Sequence, residues 1–219
     1  MTDPSHDYSP AAITSRRVLP GVLAIFLAVA IIVAAWLWWE NQPPGTDSAD
    51  AGFARDMTGH HAQAVEMALI AFERTGDPAI RQIAYDIATS QQAQIGMMTG
   101  WLNIWNLSTA RPGEPMEWAG ATDLTVPSRG GAGELMSGLM PGHLTQDAID
   151  QLRTLDGTAM DIEFLRLMII HHEGGIVMAG AAIDRANEDI VLDLADAISI
   201  AQTAEIAIMQ DMLAEREGI

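Results

Sequence analysis

The stretch DAGFARDMTGHHAQAVEMA, residues 50–68, recurs as DIEFLRLMIIHHEGGIVMA, residues 161–179, and this recurrence decides the predicted fold. A constant offset of 111 relates the two stretches, and the register continues without a gap to Leu102 and Leu213. Identical residues occupy Asp50/Asp161, Phe53/Phe164, Met57/Met168, His60/His171, His61/His172, Met67/Met178, Gln91/Gln202 and Met98/Met209. We interpret the pattern as a duplicated segment, in which residues kept in both copies mark structure or function.

Each copy shows helical periodicity in two segments, and strand patterns are nearly absent. In the first copy the segments are separated by Thr75-Gly76-Asp77-Pro78, where Asp77 is expected to cap the second helix and Pro78 to open it. An amphipathic αα-hairpin cannot bury its apolar face alone. The sequence therefore predicts an all-α fold, in which two hairpins pair into a four-helix bundle with approximate two-fold symmetry.

The sequence predicts six consecutive segments. We predict a cytoplasmic tail at 1–17, a transmembrane anchor at 18–39, a linker at 40–49, a first αα-hairpin at 50–106, a crossover loop with a short helix at 107–157 and a second αα-hairpin at 158–219. Thr145 is expected to cap the short helix. A loop this long is either the connection that two hairpins require or a lid, since it carries Met116, Met136, Met140 and His143.

The run 18–39 contains no charged residue and is about 33 Å long as a helix, enough for a bilayer core. Arg16 and Arg17 precede it and acidic residues follow it, so the positive-inside rule places the N-terminus in the cytoplasm. The predicted localisation is a single-pass cell-membrane protein with an exported C-terminal domain. A cleaved signal peptide is the alternative, because residues 28–30, Ala-Val-Ala, resemble a cleavage site.

Composition excludes several classes of site and partner. The 219 residues include no cysteine, which removes disulfides, thiolate zinc sites, iron–sulfur clusters and cysteine nucleophiles. The net charge is −18 and belongs to the part that follows the apolar run, so nucleic acid is not an expected partner. No arrangement typical of an enzyme stands out, and we predict a binding protein without catalytic activity.

Methionine and histidine are the remaining soft ligands, and they share helix faces. Met57 lies one turn before His60 and His61, and Met67 lies two turns after His60. The second copy repeats the pattern, and Gln202, Glu205 and Met209 share a face of the last helix. Thioether and imidazole together favour copper, particularly Cu(I). Glu-x-x-His spacing, typical of di-iron bundles, does not occur.

Structural explanations compete with ligation at these positions. A methionine at helical spacing is usually core packing, and Met97, Met160 and Met212 are assigned to the core. Adjacent histidines point about 100° apart on a helix, so one of each pair can ligate while the other joins a hydrogen-bond network. Gly174 and Gly175 indicate close approach by a neighbouring helix or by the crossover loop.

The order Asp-x-x-Phe-x-x-x-Met-x-x-His-His, then Met-Ala, then Gln-x-x-x-Ile-x-x-Met-x-x-x-Leu, resembles the family called domain of unknown function 305 in both copies, over residues 50–213. The resemblance implies a ferritin-like four-helix bundle, usually exported, with some members described as copper-binding. The copper ligands that it implies are Met57, His60, His61, Met67, Met168, His171, His172 and Met178, with Met98 and Met209 as outer candidates.

Two functions follow as hypotheses. The first is a membrane-anchored, exported copper-binding protein for sequestration or delivery, which uses the duplicated Met/His sites. The second is a metal-independent accessory subunit of a cell-envelope membrane complex, whose histidine pairs are internal hydrogen-bond nodes. In either case the expected partners are the membrane, through the N-terminal helix, and other envelope or integral-membrane proteins.

Overall fold

The computed structural model describes residues 18–40, 42–120 and 140–218, and every regular element in them is helical. The helices are α1 (Val18–Glu40), α2 (Ala49–Arg74), α3 (Pro78–Ile104), α4 (Gln146–Thr154), α5 (Gly157–Arg185) and α6 (Asp189–Glu217), with one 3-10 turn at Glu117–Ala119. The predicted all-α fold with an N-terminal apolar helix is confirmed. The predicted tail at 1–17 and Met136 of the crossover lie outside the described residues.

Helix α1 belongs to a unit of its own, separate from the compact unit formed by residues 44–219. Its segment Gly21–Trp39 has a mean hydropathy of 2.6, and none of it is buried within the structure. Among the described residues this is the one helix that is long and apolar enough to cross a membrane.

Side-chain caps set the beginnings of three helices. Ser48 accepts a hydrogen bond from Ala51 N–H at the start of α2. Asp77 caps α3 and Pro78 takes its first turn, as the sequence predicts. Thr145 caps α4 through the N–H of Ala148, which is also as predicted. These caps satisfy N–H groups that a helix leaves without a partner in its first turn.

Helices α2 and α5 pack against each other, while α3 packs on α2 and α6 packs on α5. The apolar side chains form two separate clusters along the bundle. The Phe53 cluster contains the start of α2, the end of α3, the end of α5 and the start of α6. The Phe164 cluster contains the end of α2, the start of α3, α4, the start of α5 and the end of α6. The middle turns of α2 and α5 lie between the two clusters.

Two buried aspartates at positions related by the 111-residue offset tie each hairpin to the turn of the other. Asp50, at the start of α2, accepts hydrogen bonds from the backbone N–H groups of Asn187 and Glu188, between α5 and α6. Asp161, near the start of α5, accepts from the hydroxyl of Thr75, between α2 and α3. Since both carboxylates are buried and paired, they fix the antiparallel pairing of α2 with α5.

Candidate metal centre

The four histidines of the two His-His pairs lie at one level of the bundle, between the two apolar clusters. His60 and His61 lie in the middle of α2, and His171 and His172 lie in the middle of α5. We call these four residues the histidine layer. Every predicted ligand is fully buried. These ligands are the four histidines of the layer and the methionines Met57, Met67, Met98, Met168, Met178 and Met209.

The histidine layer is one connected cluster. The ring centroids of His60 and His171, which come from different hairpins, are 3.8 Å apart with an angle of 33° between the ring planes. Each of these two rings lies 6.4 Å from the ring of its sequence neighbour, His61 or His172. His143 of the crossover adds a fifth ring, 6.4 Å from that of His60. The sequence left open whether the two sites are separate, and the structure joins them.

Three rings of the layer are oriented by a hydrogen bond at Nε2. The Nε2–O distances are 3.1 Å from His60 to the carbonyl oxygen of Pro141, 2.6 Å from His61 to Oε1 of Gln94, and 2.7 Å from His172 to Oε2 of Glu205. Carbonyl and carboxylate oxygens accept hydrogen bonds, so each of these rings donates from Nε2–H. In a neutral ring this assignment leaves the lone pair on Nδ1.

The Nδ1 atoms of all four layer histidines are buried and have no hydrogen-bond partner among the described residues, and neither does Nε2 of His171. Such unpaired polar atoms cost stability in an apolar core. A lone pair on one ring nitrogen, with the other nitrogen donating to an oxygen, is the arrangement that orients metal-binding histidines. The donor set therefore fits a copper ion by ligand type.

The types of donor atom suit copper, but their positions do not form a complete coordination shell. Within residues 18–40, 42–120 and 140–218, no three His, Asp or Glu side chains stand in a geometry that could hold a metal ion. Binding would therefore require small ring rotations or thioether ligands in addition to imidazole. Methionine sulfur atoms are available on both sides of the layer.

The six methionines that are predicted ligands divide into two groups, and each group mixes the two hairpins. Met57, Met98 and Met178 belong to the Phe53 cluster. Met67, Met168 and Met209 belong to the Phe164 cluster. Because α2 and α5 are antiparallel, Met57 of one repeat is grouped with Met178 of the other. Each side of the histidine layer thus has three of the predicted thioether ligands, drawn from three helices.

Burial favours the neutral form of three rings of the layer, those of His60, His61 and His171. Desolvation is the main cause that lowers the pKa of His61 to about 4, with a smaller opposing effect of its hydrogen bond to Gln94. Desolvation also lowers the pKa of His60 and of His171 well below the usual value, and the neighbouring histidines lower both further. The pKa of the half-buried His143 is lowered by burial and by the charge of Arg111. A neutral imidazole is the form that binds a metal.

The crossover loop covers the layer through a backbone contact with α5. A Cβ atom on Gly174 would lie 2.2 Å from the carbonyl oxygen of Pro141, and one on Gly142 would lie 2.7 Å from the carbonyl oxygen of Ile170. Gly142 also has a positive φ of 68°. Gln63 holds Leu144, two residues after Gly142, because its side-chain amide exchanges two hydrogen bonds with the backbone of Leu144.

Both glycines of the Gly174-Gly175 pair have the close neighbours that the sequence predicts. Gly174 meets the crossover, and a Cβ on Gly175 would lie 2.2 Å from Oε1 of Gln202 on α6. Gln91 and Gln202, which occupy related positions on α3 and α6, are buried. Within the part of the chain that the structure describes, neither Oε1 atom has a hydrogen-bond partner.

The crossover residues with soft side chains lie in different places. Met116 and Met140 are buried in the Phe53 cluster, while His143 lies beside the layer. The sequence did not predict that Asp56 of α2 binds the crossover. The buried carboxylate of Asp56 accepts from Arg111 Nε, from the backbone N–H of Met116 at 2.7 Å and from Trp118 Nε1 at 2.8 Å.

Sequence reasoning also missed Gln94 as the partner of His61, and the carbonyl oxygen of Pro141 as the partner of His60. The first was detectable, because Gln94 and Glu205 are related by the same offset of 111 as His61 and His172. The second had no signal, since any residue supplies a backbone carbonyl.

Solved structures with this fold include relatives that are themselves copper-bound. A DUF305 protein from Streptomyces coelicolor is 42% identical, with a TM-score of 0.70 over 79% of this chain and 96% of that chain. A DUF305 fragment from Deinococcus radiodurans is 28% identical, with a TM-score of 0.60 over 76% and 96%. CopM in its Cu(II)-bound form is 24% identical, with a TM-score of 0.58 over 77% and 97%.

No curated protein matches the chain. The family model described as domain of unknown function (DUF305) matches residues 50–213, which span both hairpins and the crossover between them. With the 42% identical relative, this match confirms the resemblance seen in the sequence. The chain belongs to the DUF305 family.

Proposed function

We propose that this protein binds copper, for sequestration or delivery, in an exported helical domain that α1 anchors to the membrane. The observation that carries the proposal is the histidine layer, in which four fully buried rings each present an Nδ1 atom that no described residue pairs. Thioethers flank the layer on both sides. Imidazole and thioether ligands in an apolar core suit Cu(I) better than a hard ion.

The fold supports the proposal by analogy. CopM shares it, and that protein has been solved in Cu(II)-bound and Cu(I)-bound forms. In this chain the metal would be cargo held by buried imidazole rings, and no catalytic step is assigned to it. The protein's own part is to exclude water, to orient Nε2–H of three rings and to supply soft donors on either side.

An anaerobic Cu(I) titration of the detergent-solubilised chain against a chromogenic chelator tests the proposal. The comparison is a variant in which His60, His61, His171 and His172 are all changed to Gln, which keeps side-chain volume but removes the imidazole lone pairs. We expect tight binding by the wild type and its loss in the variant, with the helical circular dichroism signal retained. Equally poor competition by both proteins would refute copper binding and favour the accessory-subunit alternative, which membrane pull-downs address.

The topology is a separate part of the proposal. Support comes from the apolar length of α1 and from the S. coelicolor relative, which is described as secreted. Because the chain has no cysteine, a single introduced thiol reports its own side of the membrane. We expect a membrane-impermeant maleimide to label Asp193→Cys but not Ser5→Cys in intact cells, with both proteins in the membrane fraction. A soluble, shortened product would instead indicate a cleaved signal peptide.

A further inference from the structure

The two halves of the histidine layer differ in the residue that orients His61 in one half and His172 in the other. Gln94 and Glu205 each lie 33 residues after the histidine that they bind, and each accepts a hydrogen bond from Nε2 of that histidine. The two Nε2–O distances are nearly the same, 2.6 Å and 2.7 Å. The geometry is therefore shared, but one acceptor is a neutral amide and the other is a carboxylate.

A carboxylate behind a ligating imidazole changes what the ring can hold. It fixes the tautomer and makes the other nitrogen a stronger donor. It also places a negative charge on the far side of the ring, which favours a dication over a monocation when the surroundings are apolar. His172 is fully buried and the side chain of Glu205 is 23% exposed, so the charge lies at the edge of the core and acts inward through the ring.

We infer that Glu205 is a positioning residue that makes the two halves of the layer chemically unequal. It gives the His172 half a preference for Cu(II), whereas the His61 half, oriented by Gln94, has no such preference. This inference rests on the proposed copper function. Its consequence is that one residue sets the balance between the two oxidation states that the protein holds.

Three substitutions test the inference in the full chain. Glu205→Gln removes the charge and keeps an acceptor oxygen, and Gln94→Glu adds a charge to the other half. Glu215→Gln is the matched control, because it removes an exposed charge from the same helix. Cu(I) and Cu(II) affinities are measured separately by chelator competition, and the midpoint potential of bound copper is measured by redox titration.

We expect Glu205→Gln to weaken Cu(II) binding about 10- to 100-fold, the usual effect of losing a partner of a ligating histidine, with far less effect on Cu(I). A selective loss of about tenfold corresponds to a rise of about 59 mV in the midpoint potential. Gln94→Glu should strengthen Cu(II) binding and lower the potential, and Glu215→Gln should change neither. Apoprotein melting curves establish that each variant is folded.

Opposite outcomes are distinguishable. Suppose that the wild type binds copper, and that Glu205→Gln weakens the binding of Cu(I) and Cu(II) equally or changes neither affinity. The inference is then wrong and the proposed function stands. If Gln94→Glu leaves the preference unchanged, the carboxylate does not act through the ring, and the inference is again overturned. If the wild type binds neither ion, the proposed function fails and the inference fails with it.

Discussion

The rings of His60 and His171 lie 3.8 Å apart, although 111 residues separate them in the chain. Two imidazolium ions at this distance would repel each other strongly in a buried environment. The contact is therefore compatible with neutral rings, which is the form that burial favours at both positions. The same contact joins the two hairpins at the level where their donor atoms are unpartnered, so the candidate centre and the hairpin interface are one feature.

The first prediction concerns acid. Burial lowers the pKa of His60, His61 and His171, so between pH 6.5 and about 4 the unfolded chain binds more protons than the folded one. The contribution of these rings to the free energy of unfolding is complete above pH 6.5. Below that pH the free energy of unfolding falls by about 1.4 kcal/mol per pH unit for each histidine that stays neutral. Urea unfolding of the apoprotein should therefore show a loss approaching about 4 kcal/mol between pH 7.5 and pH 5.5 for the three rings.

The control for this prediction is His61→Leu, which removes one of the three rings. Its unfolding free energy should depend less steeply on pH than that of the wild type, by about one third of the slope. An unfolding free energy that is the same at both pH values would show that the rings are not held neutral by the fold.

The second prediction separates ligand from core packing at the methionines. Met57→Leu, Met98→Leu and Met178→Leu together remove the three predicted thioether ligands of the Phe53 cluster while nearly keeping volume, at a cost below about 1.5 kcal/mol each. Cu(I) affinity should fall by about tenfold or more, because a lost ligand costs at least as much as a lost outer partner. Chelator competition measures the affinity.

Met160→Leu is the matched control for the methionine variants. Met160 is also fully buried, but the sequence assigns it to the core and the resemblance implies no role for it in copper binding. The Met160→Leu variant should bind Cu(I) with the same affinity as the wild type. If the triple variant does so too, these thioethers serve only as packing.

The repeat predicted what the two hairpins share. Residues present in both copies include the histidine layer, the six methionines and the aspartates that hold the opposite turns, and the structure buries all of them. Their common environment follows from antiparallel packing of two similar hairpins, so one copy is informative about the other. The grouping of Met57 with Met178 was not predictable from one helix, because it depends on how α2 and α5 cross.

The crossover loop occurs once and has no repeated signature. Two of the residues that hold it stand at positions where the copies differ, with Asp56 against Leu167 and Gln63 against Gly174. Asp56 and Gln63 bind the loop from α2, and Gly174 makes room for it on α5. A difference between the copies was therefore a signal for the loop, but it does not name the loop residue that is bound.

The third prediction concerns that close approach. In Gly174→Ala the new Cβ would meet the carbonyl of Pro141 at 2.2 Å and the backbone N of Gly142 at 2.4 Å, and backbone atoms cannot move aside as a flexible side chain can. We expect a loss of about 1–3 kcal/mol in unfolding free energy, seen as a lower melting temperature. The loop would shift away from α5, and Pro141 would no longer hold Nε2 of His60.

Gly180→Ala is the control on the same helix. Nothing lies within 4 Å of a Cβ at Gly180, so the substitution should stabilise α5 by about 0.5–1 kcal/mol through helix propensity. If both substitutions shift the melting temperature in the same direction, the contact between the crossover and α5 is not tight in solution.

The fourth prediction concerns Asp56, whose carboxylate is 1% exposed and accepts from Arg111, Met116 and Trp118. In Asp56→Asn an amide NH2 group replaces one of the two acceptor oxygens. This group is itself a donor, and it would face the N–H groups that donate to Asp56. Since hydrogen bonds to a charged group are worth about 1.5–3 kcal/mol, we expect a loss of about 2–3 kcal/mol in urea unfolding. Limited proteolysis within residues 107–120 should become faster, because these bonds hold that segment on α2.

The matched control is Asp86→Asn, which changes an exposed carboxylate on α3 that accepts from Gln82. Its effect should stay within about 0.5 kcal/mol, as is usual for surface substitutions. Equal stability of the two variants would mean that Asp56 does not hold the crossover. Faster cleavage of Asp56→Asn with unchanged Cu(I) affinity would show that this segment is dispensable for the metal centre, whereas parallel losses would show that Asp56 supports the centre by fixing the loop above it.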